Sequence, residues 1–405
     1  MITAMLLVPL TGTAGGALDF GRLQMVHSRL VDAADAASVG AVAKNGVAMT
    51  AAGNMSGDGA IATGATMATS IFNANMATIP DVAVSNISTS VQKLGMQVTA
   101  TVSAQASMPT YFMKIIGISS MVTTATSVST NSLPTYINFY LLLDNTPSMG
   151  VGATPTDVAT MVANTPDQCA FACHDLSDAT GGYYQKAKNL GVTTRIDVLR
   201  AATASLMDTA TATETVSNQF KMGVYTFGAS SAAPGFYQVA APSANLASVK
   251  TTTSGIDLMT VPYQNYNNDQ DTDFNNVMTG ANGAMPNPGT GKSTGGPQEV
   301  LLLVSDGVND SSVSGSRSIT TIDPNLCTTI KNRGIKIAVL YTTYLPLPTN
   351  SFYNSYVAPW VSTISPTMQS CASPGLFFVV SPTDGVTQAM AALFQKAVQN
   401  ARISQ

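Results

Sequence analysis

The sequence predicts an α/β fold over residues 134–405, built on a central, mostly parallel sheet flanked by helices. A long N-terminal anchor helix at 1–44 and a small α+β module at 45–133 precede it. Three observations carry this prediction. Tyr136–Leu143 and Glu299–Ser305 are nearly continuous apolar runs, the pattern of strands buried on both faces. Between such runs, apolar residues recur at helical spacing, as in Ile196, Leu199, Ala202 and Leu206. Each run leads into an aspartate, Asp144 or Asp306, at the carboxyl end of the strand, where open α/β sheets bind ligands.

Composition narrows the function classes. The chain has 405 residues, enough for two to three domains at ~150 residues each. Only 10% of it is charged, against ~25% in an ordinary soluble domain, so Ala, Thr, Ser, Asn and Gly must cover the surface. A net charge of −4 excludes a basic nucleic-acid footprint. A single segment is long and apolar enough to suggest a membrane, which excludes a multi-pass protein.

That segment is residues 2–18, which hold no charge. At ~1.5 Å per residue it reaches roughly 26 Å, slightly short of a ~30 Å hydrocarbon core. A cleaved signal peptide is the alternative, but a basic start and a small-residue cleavage site are missing. Phe20, Leu23, Leu30, Ala34, Ala37 and Ala41 then step by three, four or seven, so the helix is expected from about residue 3 to about 43, half in a bilayer. Arg22 and Arg29 favour a cytoplasmic side for the chain beyond the span, whereas the cysteines favour an oxidising one. A start that lies upstream, with its own basic flank, reconciles the two.

Residues 45–90 are rich in small residues and carry few landmarks. Alternation through Met96, Val98, Ala100 and Val102 predicts one strand over 91–105. Pro109 is expected to open a helix through Tyr111, Phe112, Ile115 and Ile116, followed by a strand at Met121–Val128. In the larger domain, helices are expected at Arg195–Ala212, from near Thr272, at Cys327–Arg333, at Val357–Met368 and at Asp384–Ala401. Further strands are expected at Lys221–Phe227, Gly235–Ala240, Ile335–Tyr341 and Leu376–Val380.

Cys169, Cys173, Cys327 and Cys371 form an even set behind an anchor, which fits an oxidising compartment. The expected pairs are Cys169 with Cys173 and Cys327 with Cys371, against four reduced, buried thiols. The string Cys169-Ala-Phe-Ala-Cys173-His174 leaves other readings open. It is one residue longer than a c-type haem attachment, it could hold zinc, and it pairs a thiol with an imidazole; a small disulfide-closed loop is the plainer reading.

The residues that carry chemistry lie just past the first apolar run. Asp144-Asn145-Thr146-Pro147-Ser148 reads D-x-T-x-S, and a turn here aims one carboxylate and two hydroxyls at one point. Such hard oxygen ligands suit Mg²⁺, with Ca²⁺ or Mn²⁺ as alternatives. At these residues the chain resembles the von Willebrand factor A domain, a Rossmann-like α/β fold with a metal-ion-dependent adhesion site. The resemblance implies that Thr272 and Asp306 supply the second and third elements of that site. It also implies that the ion, incompletely neutralised, accepts a carboxylate from a partner protein. Thr146 stands where the family usually has Ser. The resemblance covers roughly 136–401 with an insertion at 151–192, and a degenerate site that binds no metal is its alternative.

Gly16-Ala-Leu-Asp-Phe-Gly-Arg22 and Leu30-Val-Asp-Ala-Ala-Asp-Ala-Ala37 are similar to the start of TadE/TadG-like Flp pilus-assembly proteins. That resemblance implies one transmembrane helix and a bulk that is periplasmic or surface-exposed in the bacterial envelope. It implies pilin-like or pilus-assembly partners, packed in part through the small residues of the anchor. A surface adhesin for host or matrix ligands and a periplasmic redox or haem protein are the alternatives. Gly289–Thr294 fails as a phosphate-binding loop because residue 286 is proline, and Asp269, Asp271 and Asp273 fail as an EF-hand because residue 274 is phenylalanine. No paired acid–base carboxylates stand out, so a non-enzymatic protein is expected.

Overall fold

The computed structural model describes residues 2–403 except 56, 78, 79, 314, 315, 382 and 384, with the backbone alone for 2–12, 268, 313, 402 and 403. It divides into two compact units, 1–134 and 135–405. The anchor helix and the small module, separate segments in the sequence reading, share the first.

In the first unit, α1 (Ile2–Ala41) is followed by α2 (Val47–Asn54), β1 (Gly59–Ala60) and α3 (Ala62–Met76). Then come β2 (Ala83–Leu94), β3 (Gln97–Pro109) and β4 (Ser120–Ser132), in an antiparallel sheet of order β1-β2-β3-β4. The strand expected over 91–105 is a hairpin. Gly95 takes φ +60° in a two-residue turn between Leu94 and Gln97, a conformation that favours glycine. Alternate residues of β3, Val98 through Met108, are buried, and they meet Leu30, Ala33, Ala34 and Ala37 of α1 and Phe72 of α3. Pro109 ends β3 and does not open a helix; a single 3₁₀ turn at Met113–Ile116 replaces it.

The long first helix is present, but among the described residues no helix is long and apolar enough to cross a membrane. Thr11, Gly12, Thr13, Gly15 and Gly16 dilute its apolar start, and from Val26 onward its apolar stripe is used against its own sheet. Asp19, fully buried, ties this helix to the turn after β3. Its carboxylate accepts the backbone N–H groups of Tyr111, Phe112 and Met113 at 3.0, 2.9 and 2.8 Å. A side chain at Gly15 would collide with Phe112.

The second unit runs β5 (Ile137–Leu143), α4 (Pro155–Asn164), β6 (His174–Asp175), α5 (Gly182–Asn189), α6 (Arg195–Thr213), β7 (Phe220–Ser230) and β8 (Ala233–Ser243). It continues α7 (Leu246–Thr252), β9 (Thr260–Val261), α8 (Phe274–Ala284), β10 (Gln298–Ser305), β11 (Val308–Val313) and β12 (Ser316–Thr321). It closes with α9 (Pro324–Asn332), β13 (Lys336–Thr342), α10 (Val361–Cys371), β14 (Phe377–Val380) and α11 (Val386–Ile403). The expected start of α11 at Asp384 lies outside the described residues. The main sheet has the order β14-β13-β10-β5-β7-β9-β6, all parallel, with β8 antiparallel beside β7. This is the Rossmann-like α/β architecture expected.

Both faces of the sheet are covered, which explains the unbroken apolar runs. Phe139, Leu141 and Leu143 of β5 with Val300, Leu302 and Val304 of β10 face a core built on α6 and α11. Tyr140, Leu142, Leu301 and Leu303 face the other, built on α8, α9 and α10. A capping box between Thr194 and Asp197 fixes the start of α6, next to the site. Cys327 and Cys371 form a disulfide between α9 and α10.

Candidate functional site

From β5 the chain proceeds to β7 on one side and later to β10 on the other, so β5 and β10 are neighbours at a switch point of the sheet. Asp144 and Asp306 come directly after these two strands, and Asp144 N–H still bonds the carbonyl of Val304. The crevice that a doubly wound sheet opens at its carboxyl edge therefore starts between two buried carboxylates.

The loop after β5 folds back on its first residue. Asp144 Oδ1 accepts the backbone N–H of Thr146 at 3.1 Å and its hydroxyl at 2.7 Å, and Thr146 Oγ1 lies 3.2 Å from Ser148 Oγ. On the other oxygen, Ser305 Oγ donates to Asp144 Oδ2 at 2.6 Å. Asp144, Thr146 and Ser148 thus form one bonded set. Burial pushes the Asp144 carboxyl up to about 6, with the charge of Asp306 adding, while Ser305 and Thr146 hold it down.

Asp306 is held by groups that the sequence reading did not name. Its Oδ1 accepts Val308 N–H at 3.2 Å, and its Oδ2 meets Arg195 Nη1 at 3.3 Å. Arg195 is buried at the start of α6 and also donates to the carbonyl and hydroxyl of Thr342 at 3.0 and 3.1 Å. Tyr344 stands between the halves, its ring 4.9 Å from the Arg195 guanidinium and its phenol near enough to Ser148 and Asp306 to feel both. Burial, then the charge of Asp306, raises that phenol far above the usual range. Arg195 was legible as the first residue of an amphipathic helix; nothing in the sequence paired it with Asp306.

Thr272 sits before α8, bonded back to back with Asp310 of β11 through both backbone groups at 3.0 and 2.8 Å. Thr272, Ser148 and Tyr344 line one cavity of about 280 Å³. Of the five predicted residues, Asp144, Thr146 and Ser148 are joined directly by hydrogen bonds, Asp306 follows the neighbouring strand, and Thr272 shares the cavity with Ser148. Asp269, Asp271 and Asp310 line the same cavity. Burial pushes the Asp271 carboxyl up to about 7, Asp269 and Asp310 adding and Arg317 opposing.

The donor set is all oxygen, which fits a hard divalent cation. Arg195 cancels the charge of Asp306, so Asp144 is the one uncompensated carboxylate of the motif itself. Among the described residues, no group of three or more His, Cys, Asp or Glu is arranged to hold a metal.

The expected Cys169–Cys173 bond is absent, and both cysteines are free thiols. The segment between them is pinned elsewhere. Phe171 forms a β-bridge with Val151, Ala172 N–H bonds Gly150, and Phe171 N–H lies 3.4 Å from Cys169 Sγ. Burial pushes the Cys173 thiol up to about 12, which makes it a poor nucleophile or redox centre. His174 packs on Tyr184 at 4.9 Å, and His27 bonds Thr123 at 2.8 Å within the first unit.

Residues 1–44 match the family described as "Putative Flp pilus-assembly TadE/G-like". No curated protein matches the chain. Among solved structures, the von Willebrand factor domain of the type V pili tip protein Mfa5 from Porphyromonas gingivalis aligns at 9% identity and TM-score 0.38, over 67% of this chain and 97% of that one. The PilB minor pilin from Streptococcus sanguinis aligns at 11% identity and TM-score 0.37, over 80% of each chain. Proximal thread matrix protein 1 from the mussel byssus aligns at 12% identity and TM-score 0.36, over 65% of this chain. The present chain spans 46% of that mussel protein. The family match places the first 44 residues among TadE/G-like segments.

Proposed function

We propose that this chain is a binding protein of the bacterial envelope, not an enzyme, that takes part in Flp/Tad-type pilus assembly or anchoring. Its α/β unit captures a protein partner through a divalent cation, Mg²⁺ first, with Ca²⁺ or Mn²⁺ as substitutes. The observation that carries the reading is the bonded set Asp144, Thr146 and Ser148 at the sheet's switch point, with Asp306 beside it and Thr272 on the shared cavity. The ion would rest on the hydroxyls of Thr146, Ser148 and Thr272 and near the two carboxylates, and would supply a Lewis-acid position for a partner's carboxylate. Thr146 donates its one proton to Asp144, so Ser148 is the donor between the two hydroxyls, and one lone pair of Thr146 is left for a cation. Arg195 orients Asp306.

The first unit is read as the membrane-facing end. Residues 2–18 are uncharged, and Tyr111, Phe112, Ile115 and Ile116 are exposed on the turn that Asp19 ties to α1. Aromatic and aliphatic side chains beside Lys114 and Arg22 suit the interface between headgroups and acyl chains.

Thermal unfolding of the full chain with Mg²⁺, Ca²⁺ or Mn²⁺ tests the cation. A ligand that binds only the folded protein adds about 2.7 kcal/mol at 100 times its Kd. The stabilisation is expected in the native chain and lost in Asp144→Ala. Equal melting with and without millimolar metal would sink the reading.

A further inference from the structure

The cavity beside the motif holds more negative charge than the motif uses. Asp269, Asp271 and Asp310 line it, and no lysine or arginine does. Arg317 serves Asp310, with two hydrogen bonds of 2.9 and 2.5 Å, while it stands over the rings of Phe352 and Tyr356. Three carboxylates against one guanidinium leave two formal charges uncompensated. Asp271 is the extreme case. It is 2% exposed, and neither carboxylate oxygen has a hydrogen-bond partner among the described residues. A buried carboxylate in this state is costly when ionised, and its protonated form would still leave an O–H unmade.

We propose that Asp271, together with Asp269, holds a divalent cation of the calcium class, separate from the ion read onto Asp144, Thr146 and Ser148. Asp144 and Asp306 do not line this cavity. Its other oxygen donors are the side-chain amides of Gln264, Asn265 and Asn350, on irregular segments, and the hydroxyls of Ser148, Thr272 and Tyr344. Carboxylates and amides in irregular geometry suit Ca²⁺, which accepts six to eight oxygens, better than Mg²⁺ with its strict octahedron. The ion supplies the two positive charges that the cavity lacks and, with Thr272 next in sequence, fixes the loop that presents the adhesion motif's second element.

Equilibrium dialysis of the full chain against Ca²⁺ counts the ions. Two equivalents are expected in the native chain, one in Asp271→Asn and one in Asp144→Ala. Asp271→Asn keeps the shape of the side chain, and a melting curve checks that it folds. Asp269→Asn, less buried, provides a second route and is expected to weaken the same equivalent by roughly tenfold. A count that Asp271→Asn leaves unchanged overturns the site, as does a single ion that both Asp271→Asn and Asp144→Ala abolish. Binding of Zn²⁺ without Ca²⁺ also overturns it, since the thiols of Cys169 and Cys173 would then be the ligands. A single ion lost in Asp271→Asn and kept in Asp144→Ala sustains this site and fails the reading of Asp144.

Discussion

Asp19 in the first unit and Asp271 in the second are both buried aspartates, and they are satisfied in opposite ways. Three backbone N–H groups converge on Asp19, while Asp271 receives none among the described residues. Burial would raise either carboxyl. At Asp19 the three N–H groups and Arg22 overcome it and hold the carboxyl below its usual range, while Asp271 is pushed up to about 7. A carboxylate whose partners belong to the fold is a brace. One whose partners are missing from the fold is either protonated or waiting for a ligand. Arg195 and Asp306 fall between, a buried pair in which the protein supplies its own cation.

Three substitutions break or sharpen this contrast. The largest effect is expected from Asp19→Ala, which strands three backbone donors at once. The first unit should then unfold in a separate, lower transition in calorimetry, with the second unit unmoved. A single shared transition at the native temperature would mean that Asp19 is not a brace. Next comes Arg195→Met, which leaves Asp306 buried and unpaired. Breaking a buried pair costs about 3–5 kcal/mol, and a divalent cation should restore part of it in a denaturant titration. A loss that Mg²⁺ leaves untouched would separate Arg195 from the cation site.

Glu299 gives the smallest effect and a pH signature. Its Oε1 accepts from Asn138 at 2.9 Å, whereas Oε2 has no hydrogen-bond partner among the described residues. Burial raises its carboxyl to about 7, against the opposing Asn138 bond, the charge of Lys221 and the nearby Tyr140 hydroxyl. A raised folded value means the native state holds the proton more tightly than the unfolded chain. The associated stability is complete below about 4.5 and is lost as pH rises through about 7. Glu299→Gln should therefore melt higher than the native chain at pH 8, by on the order of 2 kcal/mol, and equal to it at pH 4. A constant difference across that range would contradict the assignment.

The parts of the molecule that were legible in the sequence share one property: they are written in local pattern. Tyr136–Leu143 and Glu299–Ser305 are apolar without alternation because both faces of β5 and β10 are covered, and their terminal aspartates mark the switch point. Asp144 and Asp306 follow neighbouring strands for the same reason. The features that were not legible depend on long-range partners. Gly95 offered a turn, but unbroken alternation around it read as one strand. Cys169 and Cys173 look like a pair until the bridge from Phe171 to Val151 is seen. The cation on Asp306 comes from 111 residues away, and the hairpin of β11 and β12, which supplies Asp310 to the cavity, is too polar to announce itself. The emptiness around Asp271 could not be read at all, because it is a property of the packing.

The most direct test of the central claim is an anomalous difference map from a crystal of the full chain soaked in Mn²⁺. The account predicts a peak bounded by the hydroxyls of Thr146, Ser148 and Thr272, and a second against the carboxylate of Asp271. A map without a peak in that cavity, with Asp271 still alone, would contradict the account.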